Sequence, residues 1–248
     1  MSTLYMKAEH QDIAKYVIFV GDPLQVNLLK DYLDNPKHIS FNREFNTYTG
    51  SYKGLPITIS STGIGAPSVA IALEEMYECG MEVAIRMGTM MSMIEGSLGD
   101  MIIPVGVLKR ESTSTTYVEE GYPAVADISL VNIMNESSES FGKKHHNGIS
   151  ATIDGFYSQM FKSKFSKESN RDTGKLFREL KQMGICGVDM ESSIFLILGR
   201  LMGVKSAVVT AVTVLENLEV LKGKEREDLE DVLIKIVLEG LYKYSERA

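Results

Sequence analysis

The sequence predicts an α/β fold: a largely parallel or mixed sheet covered by helices on both faces, in one domain over residues 1–248. Three observations carry this. Short runs rich in Val and Ile, bounded by Gly or Pro, alternate with segments of helical spacing. Such alternation implies a sheet covered by helices on both faces. No repeat or long linker interrupts the 248 residues, and 44% hydrophobic with 24% charged residues suits one large core.

The first strand, Val17 to Val20, ends in Gly21-Asp22-Pro23, a tight turn that opens a helix. Ile57 to Ser61 is the next strand, followed by a glycine turn and a helix from Pro67 to Cys79. Val83 to Met87 and Met101 to Val107 follow as strands, then a helix over Leu130 to Phe141 and a strand over His146 to Thr152. Ser158 to Asp172, polar and rich in serine and basic residues, reads as a mobile loop. The rest reads as helix Thr173 to Met183, helix Glu191 to Leu201, strand Ser206 to Val214 and helix Glu227 to Tyr244.

Charge and cysteine content narrow the function classes. A net charge of −7 argues against nucleic acid as partner, since duplex binding needs clustered Lys and Arg. No signal peptide is legible and no apolar run approaches a membrane span, so a cytoplasmic, membrane-free protein is expected. Cys79 and Cys186 read as buried thiols. No zinc-type Cys/His spacing and no Gly-rich dinucleotide fingerprint occurs.

A sheet of this kind binds ligands beyond the carboxyl ends of its strands, so chemistry is sought there. At Gly21-Asp22-Pro23 a strand end meets a helix start, where free backbone N–H groups suit an anion. Ile85-Arg86-Met87-Gly88-Thr89 buries a cation at a strand end. Such a cation needs a partner, either an internal carboxylate or a bound anion. Ser60 to Ser68 is a second strand, glycine turn and helix start. Gly187-Val188-Asp189-Met190-Glu191-Ser192 sets two acids at a strand-to-helix junction, to cap the helix or to accept hydrogen bonds from a vicinal diol.

Together with Asn42-Arg43-Glu44-Phe45, Pro123 to Asp127 and Phe156-Tyr157, these blocks occur in the order and at separations that resemble the hexameric purine nucleoside phosphorylase and uridine phosphorylase family. The resemblance implies a twisted central sheet and assembly as dimers into a homohexamer. It implies phosphorolysis of a ribonucleoside with inorganic phosphate as co-substrate and no required cofactor. Gly21, Arg86 and Thr89 would hold phosphate, with Arg43 from a neighbouring subunit. Glu191 would grip the ribose hydroxyls, Met190 would pack on the sugar, and Phe156 would stack on the base. Glu44, Ser68 and the Ile64 carbonyl match a monovalent-cation site; a helix cap and a surface acid are the alternative.

Several positions depart from the family. Gln25 stands where it has a phosphate arginine, a loss of about 1.5–3 kcal/mol of charge-assisted hydrogen bonding. Met90 and Met91 stand where small residues flank the base. Met160 and Lys162 stand nearest the glutamine and arginine with which uridine phosphorylases read uracil. Tyr5 lies where purine enzymes place a sugar-binding histidine. Glu216 falls near their aspartate general acid, or is a solvated loop acid. The blocks favour the uridine branch. The purine branch, a nucleoside hydrolase of the same fold and a catalytically silent nucleoside-binding protein remain alternatives.

Overall fold

A computed structural model describes residues 2–169, 172 and 174–247. The first strand, β1 (Tyr16–Val20), delivers the chain to α1 (Pro23–Leu29), opened by Asp22, whose carboxylate accepts the Leu24 N–H at 2.8 Å. Two strands absent from the sequence reading follow, β2 (Asp34–Asn42) and β3 (Phe45–Tyr52), before β4 (Leu55–Ser61). β2 is exposed along most of its length, so it carries no apolar alternation to betray it. Next come α2 (Ala66–Glu78), β5 (Val83–Ser92), β6 (Met101–Ile102), β7 (Gly106–Arg110), β8 (Ala124–Val125) and α3 (Ile128–Ser140). The chain continues through β9 (His145–His146), β10 (Ile149–Ile153), α4 (Lys164–Glu168), α5 (Lys175–Gln182), β11 (Gly187–Asp189), α6 (Ser192–Met202), β12 (Lys205–Leu215) and α7 (Gly223–Arg247).

Two expected strands prove to be four. Met101 to Val107 divides at Ile103-Pro104, and His146 to Thr152 divides at Asn147-Gly148. The divisions are matched: β9 pairs with β6, whereas β10 pairs with β7. Proline has no N–H to donate, so the ladder must break there. The expected loop from Ser158 to Asp172 is also largely helical. Phe156–Met160 forms a π turn, and Ser163 caps α4 by a reciprocal capping box with Ser166. Asn170, Arg171 and Thr173 lie outside the described residues, and the helix expected from Thr173 runs from Lys175.

The sheet is mixed, ordered β2-β3-β4-β1-β5-β11-β10-β7-β8, with β12 lying on β5 and β6. One core layer seats α1, α3 and α7 through Val26, Leu29, Leu130, Met134, Leu233 and Val237. The opposite layer seats α2 and α6 through Val69, Leu73, Phe195 and Leu198. α2, α3 and α7 bury an apolar stripe against the sheet, whereas α6 is buried on all sides from Ser192 to Gly199. Among the described residues no helix is long and apolar enough to cross a membrane.

The central strand β5 changes partner halfway. Its first half pairs parallel with β1, the last pair being Phe19 with Arg86; its last residues, Met91 and Ser92, pair antiparallel with β11. Between those pairings β5 is open on that side, and a crevice forms where α/β sheets bind ligands.

Candidate active site

The crevice is a cavity of about 840 Å³. It is lined by the carboxyl ends of β1, β5, β11 and β12, the start of α1, the π turn and Arg226 of α7. Gly21, Gln25, Ile64, Arg86, Thr89, Met91, Phe156, Met160, Met190 and Glu191 all line it. These residues are up to 170 positions apart in sequence; the change of partner along β5 is what brings them together.

Arg86 is 4% exposed, the one charged residue of β5. Its Nη2 donates to Glu191 Oε2 at 2.5 Å, and its Nε lies 3.7 Å from Asp189 Oδ2. Nε and Nη1 make no hydrogen bond to the described residues. Arg86 therefore forms the internal salt bridge, and two of its buried donors stay without a partner among the described residues. Leaving them unmade costs free energy that an anion would recover.

The two acids after β11 divide their work. Asp189, two residues before the N-cap Glu191, accepts the N–H of Ser192, the first residue of α6, at 3.1 Å and the Thr152 hydroxyl at 2.7 Å. Glu191 instead turns towards Arg86, with its other oxygen accepting the Gly65 N–H at 2.8 Å. Burial pushes the Glu191 carboxyl above the usual carboxylate range, against the pull of Arg86, and the Asp189 charge adds to the rise. Gly63, in the loop beneath, has φ of +71°, and a Cβ there would lie 2.9 Å from Glu44 Cγ. Only glycine lets the loop come this close.

Opposite this charged end the wall is apolar: Met90, Met91, Val188, Val214, Val220, Met160, Phe156 and Phe161. Phe156 stacks on Phe161 with ring centroids 5.8 Å apart and planes 8° from parallel. A bulge at Val212–Val214 of β12 turns Thr213 and Val214 to the cavity. The Thr89 and Gln25 side chains line it without a hydrogen bond to any described residue.

Six sequence candidates do not line this chain's cavity. Arg43 lies over the Tyr5 ring, 5.6 Å from its centroid. The Tyr5 N–H donates to buried Glu75 at 2.8 Å, which anchors the N-terminal segment. Lys162 is exposed. Glu216 pairs with Lys181 at 3.0 Å, beside a separate surface depression, as the solvated loop acid would. Ser68 donates to Glu44 Oε1 at 3.1 Å, so those two cation candidates do meet, though Ser68 lies inside α2 and does not cap it. Among the described residues no group of three or more His, Cys, Asp or Glu is arranged to hold a metal. Both cysteines are buried free thiols, and burial raises Cys186 to about 11, so neither is poised as a nucleophile. Sequence reading missed Arg226, whose only signal was its place in a charged helix.

A doubly covered α/β sheet with a buried arginine and paired acids at its switch point is the arrangement that the resemblance to nucleoside phosphorylases implies. Residues 15–237 match the Phosphorylase superfamily model, and the chain belongs to that family. It is 37% identical to the uridine phosphorylase of Thermococcus kodakarensis over 202 residues, 81% of this chain and 73% of that one. It is 29% identical to the guanosine phosphorylase of Halorubrum lacusprofundi over 209 residues, 84% and 81% of the two chains. Among solved structures, Vibrio fischeri uridine phosphorylase with 6-hydroxy-1-naphthoic acid superposes with a TM-score of 0.87 at 31% identity, covering 98% of this chain and 97% of that one. Toxoplasma gondii purine nucleoside phosphorylase with immucillin-H gives 0.84 at 25% identity, covering 100% and 98%. The family and fold expected from the sequence are met.

Proposed function

We propose that this protein cleaves a ribonucleoside, uridine-like in the first instance, with inorganic phosphate, giving free base and ribose 1-phosphate. The observation that carries this is Arg86, buried in the cavity with two unpaired donors and Glu191 hydrogen-bonded to its third nitrogen. Phosphate oxygen forms the new bond to the anomeric carbon while the bond to the base nitrogen breaks, and the base leaves with that electron pair. Positive charge grows on the sugar, so a phosphate dianion held beside it is nucleophile and electrostatic partner together. Arg86, Thr89 and the Gly21 backbone hold the phosphate. Glu191 accepts hydrogen bonds from the ribose hydroxyls, Met190 covers the sugar, and Phe156 with Met91 and Met160 packs on the base.

Arg43 and Tyr5 act from a neighbouring copy in a dimer-based homohexamer, and Glu44, Ser68 and the Ile64 carbonyl hold a monovalent cation at that interface. The protein works in the cytoplasm. Uridine, thymidine, inosine and adenosine, each assayed with and without phosphate, test the reading. Cleavage of at least one that requires phosphate and yields ribose 1-phosphate supports it. Free ribose formed without phosphate would make the protein a hydrolase, and tight nucleoside binding without turnover a silent binding protein.

A further inference from the structure

The charged groups lining the cavity do not balance for an anionic co-substrate. Three are acids, Asp22, Asp189 and Glu191, and two are cations, Arg86 and Arg226. Arg86 already faces two of those acids, Glu191 at 2.5 Å and Asp189 at 3.7 Å. The side chain at position 25, on the first turn of α1, is a neutral glutamine. A phosphate dianion entering this cavity therefore needs a further positive charge, and Arg226 is the lining cation with no buried carboxylate against it.

Arg226 is placed and free to supply it. It lies in the first turns of α7 and makes an i,i+4 pair with Glu230, Nε to Oε1 2.9 Å, with 49% of its side chain exposed. Such a single-contact pair on a helix surface is weak, and a dianion that takes two donors of the guanidinium competes well with it. The start of α7 is tied to the chain just beyond α1 by a hydrogen bond from the Tyr32 hydroxyl to Asp231. At 1.5 Å of rise per residue, Arg226 lies about 7.5 Å along the helix axis from that tie. It lines the same cavity as Gln25.

We propose that Arg226 is a phosphate-binding residue: it leaves Glu230 when phosphate enters and gives the cavity the charge that Gln25 does not. This rests on the phosphorolysis reading above. The test is phosphate titration of the full-length protein, by thermal shift without nucleoside and by steady-state kinetics with it. Arg226→Ala should weaken phosphate about tenfold or more in both, with KM for nucleoside unchanged. Gln25→Arg in the Arg226→Ala background should restore most of the loss. Glu230→Gln, which breaks the same helix pair but keeps the guanidinium, should bind phosphate as tightly as wild type or tighter. Arg43 is present in every variant and cancels from the comparison.

Equal phosphate affinity in wild type and Arg226→Ala overturns the assignment. So does a loss that falls on nucleoside KM, which would put Arg226 at the base. A loss in Glu230→Gln as large as in Arg226→Ala overturns it too, because damage to α7 would then explain both. A wild-type protein that neither binds nor requires phosphate overturns the phosphorolysis reading itself, before any variant is compared.

Discussion

Arg86 and Glu191 share one buried ion pair, Nη2 to Oε2 2.5 Å, although they are proposed to serve different halves of the substrate pair. The Nε and Nη1 of the same guanidinium have no hydrogen-bond partner among the described residues, while the same carboxylate is fixed by the Gly65 N–H. The site is thus preorganised before any ligand arrives: the ion pair sets both side chains in a water-poor environment where their charges act strongly. A substitution of Arg86 therefore also disturbs Glu191.

Replacing Arg86 should therefore injure fold and chemistry together. Arg86→Ala leaves Asp189 and Glu191 buried without their cation, at a cost of about 3–5 kcal/mol of stability. Arg86→Lys keeps the charge and loses the planar fork, so it should fold while requiring about tenfold more phosphate for half-maximal rate. Denaturant unfolding and phosphate kinetics on both variants check this. Ordinary phosphate kinetics in Arg86→Lys would reduce Arg86 to a structural role.

Glu191→Gln keeps the shape and removes the charge that strengthens hydrogen bonds from ribose hydroxyls. Its loss of kcat/KM should be similar for every accepted ribonucleoside, and a loss confined to one base would remove Glu191 from the sugar. Because burial raises this carboxyl above the ordinary carboxylate range, the folded state holds the proton more tightly than the unfolded state. Its stability contribution is full below the unfolded pKa and falls as pH rises through the folded one. Activity runs the other way: the acceptor form is gained as pH rises through that raised value, giving an acid limb in the kcat/KM profile that Glu191→Gln lacks.

Much of this site was legible in the sequence because short blocks fix it. Gly21-Asp22-Pro23 and Met190-Glu191 each follow a strand's carboxyl end, as expected, whereas Arg86 to Thr89 lie midway along β5, which runs to Ser92 and not to the expected end at Met87. The different hydrogen-bond partners of Asp189 and Glu191 were not legible, since both are carboxylates two positions apart at one strand-to-helix junction. Arg226 was hidden for another reason. On α7 it reads as one more charge in a solvated i,i+4 pattern, and only the packing of α7 on α3, β12 and β5 brings it to the cavity. The exposed strand β2 escaped detection because hydrophobic alternation reports burial, and β2 has little.

The base end of the cavity should respond to one polar group. Met160 lines an apolar wall, with no charged side chain from the π turn reaching the cavity and Lys162 exposed to solvent. Stacking and size then decide what fits, which discriminates weakly between bases, whereas a paired amide discriminates strongly. Met160→Gln should raise the ratio of uridine to inosine kcat/KM by about tenfold, or about 1.4 kcal/mol, with phosphate KM unchanged. An unchanged ratio would place the base away from the π turn.

Tyr32 offers a test of how α7 is held over the site. Its hydroxyl donates to Asp231, which also pairs with Lys235 at 2.6 Å. That hydrogen bond, followed by partial burial, raises the Tyr32 hydroxyl to about 12, above the unfolded value of about 10. The folded state therefore keeps this proton where the unfolded state has lost it. The stability so gained is full below about pH 10 and lost as pH rises through about 12. Alkaline unfolding of wild type and Tyr32→Phe, followed by far-UV circular dichroism, should show this slope in the first and not in the second. Because the same bond sets α7 against the end of α1, Tyr32→Phe should also raise phosphate KM several-fold at neutral pH, with nucleoside KM unchanged. Identical alkaline slopes would mean that the Tyr32–Asp231 bond does not persist in solution, and an unchanged phosphate KM that α7 is positioned by its core contacts through Leu233 and Val237 alone.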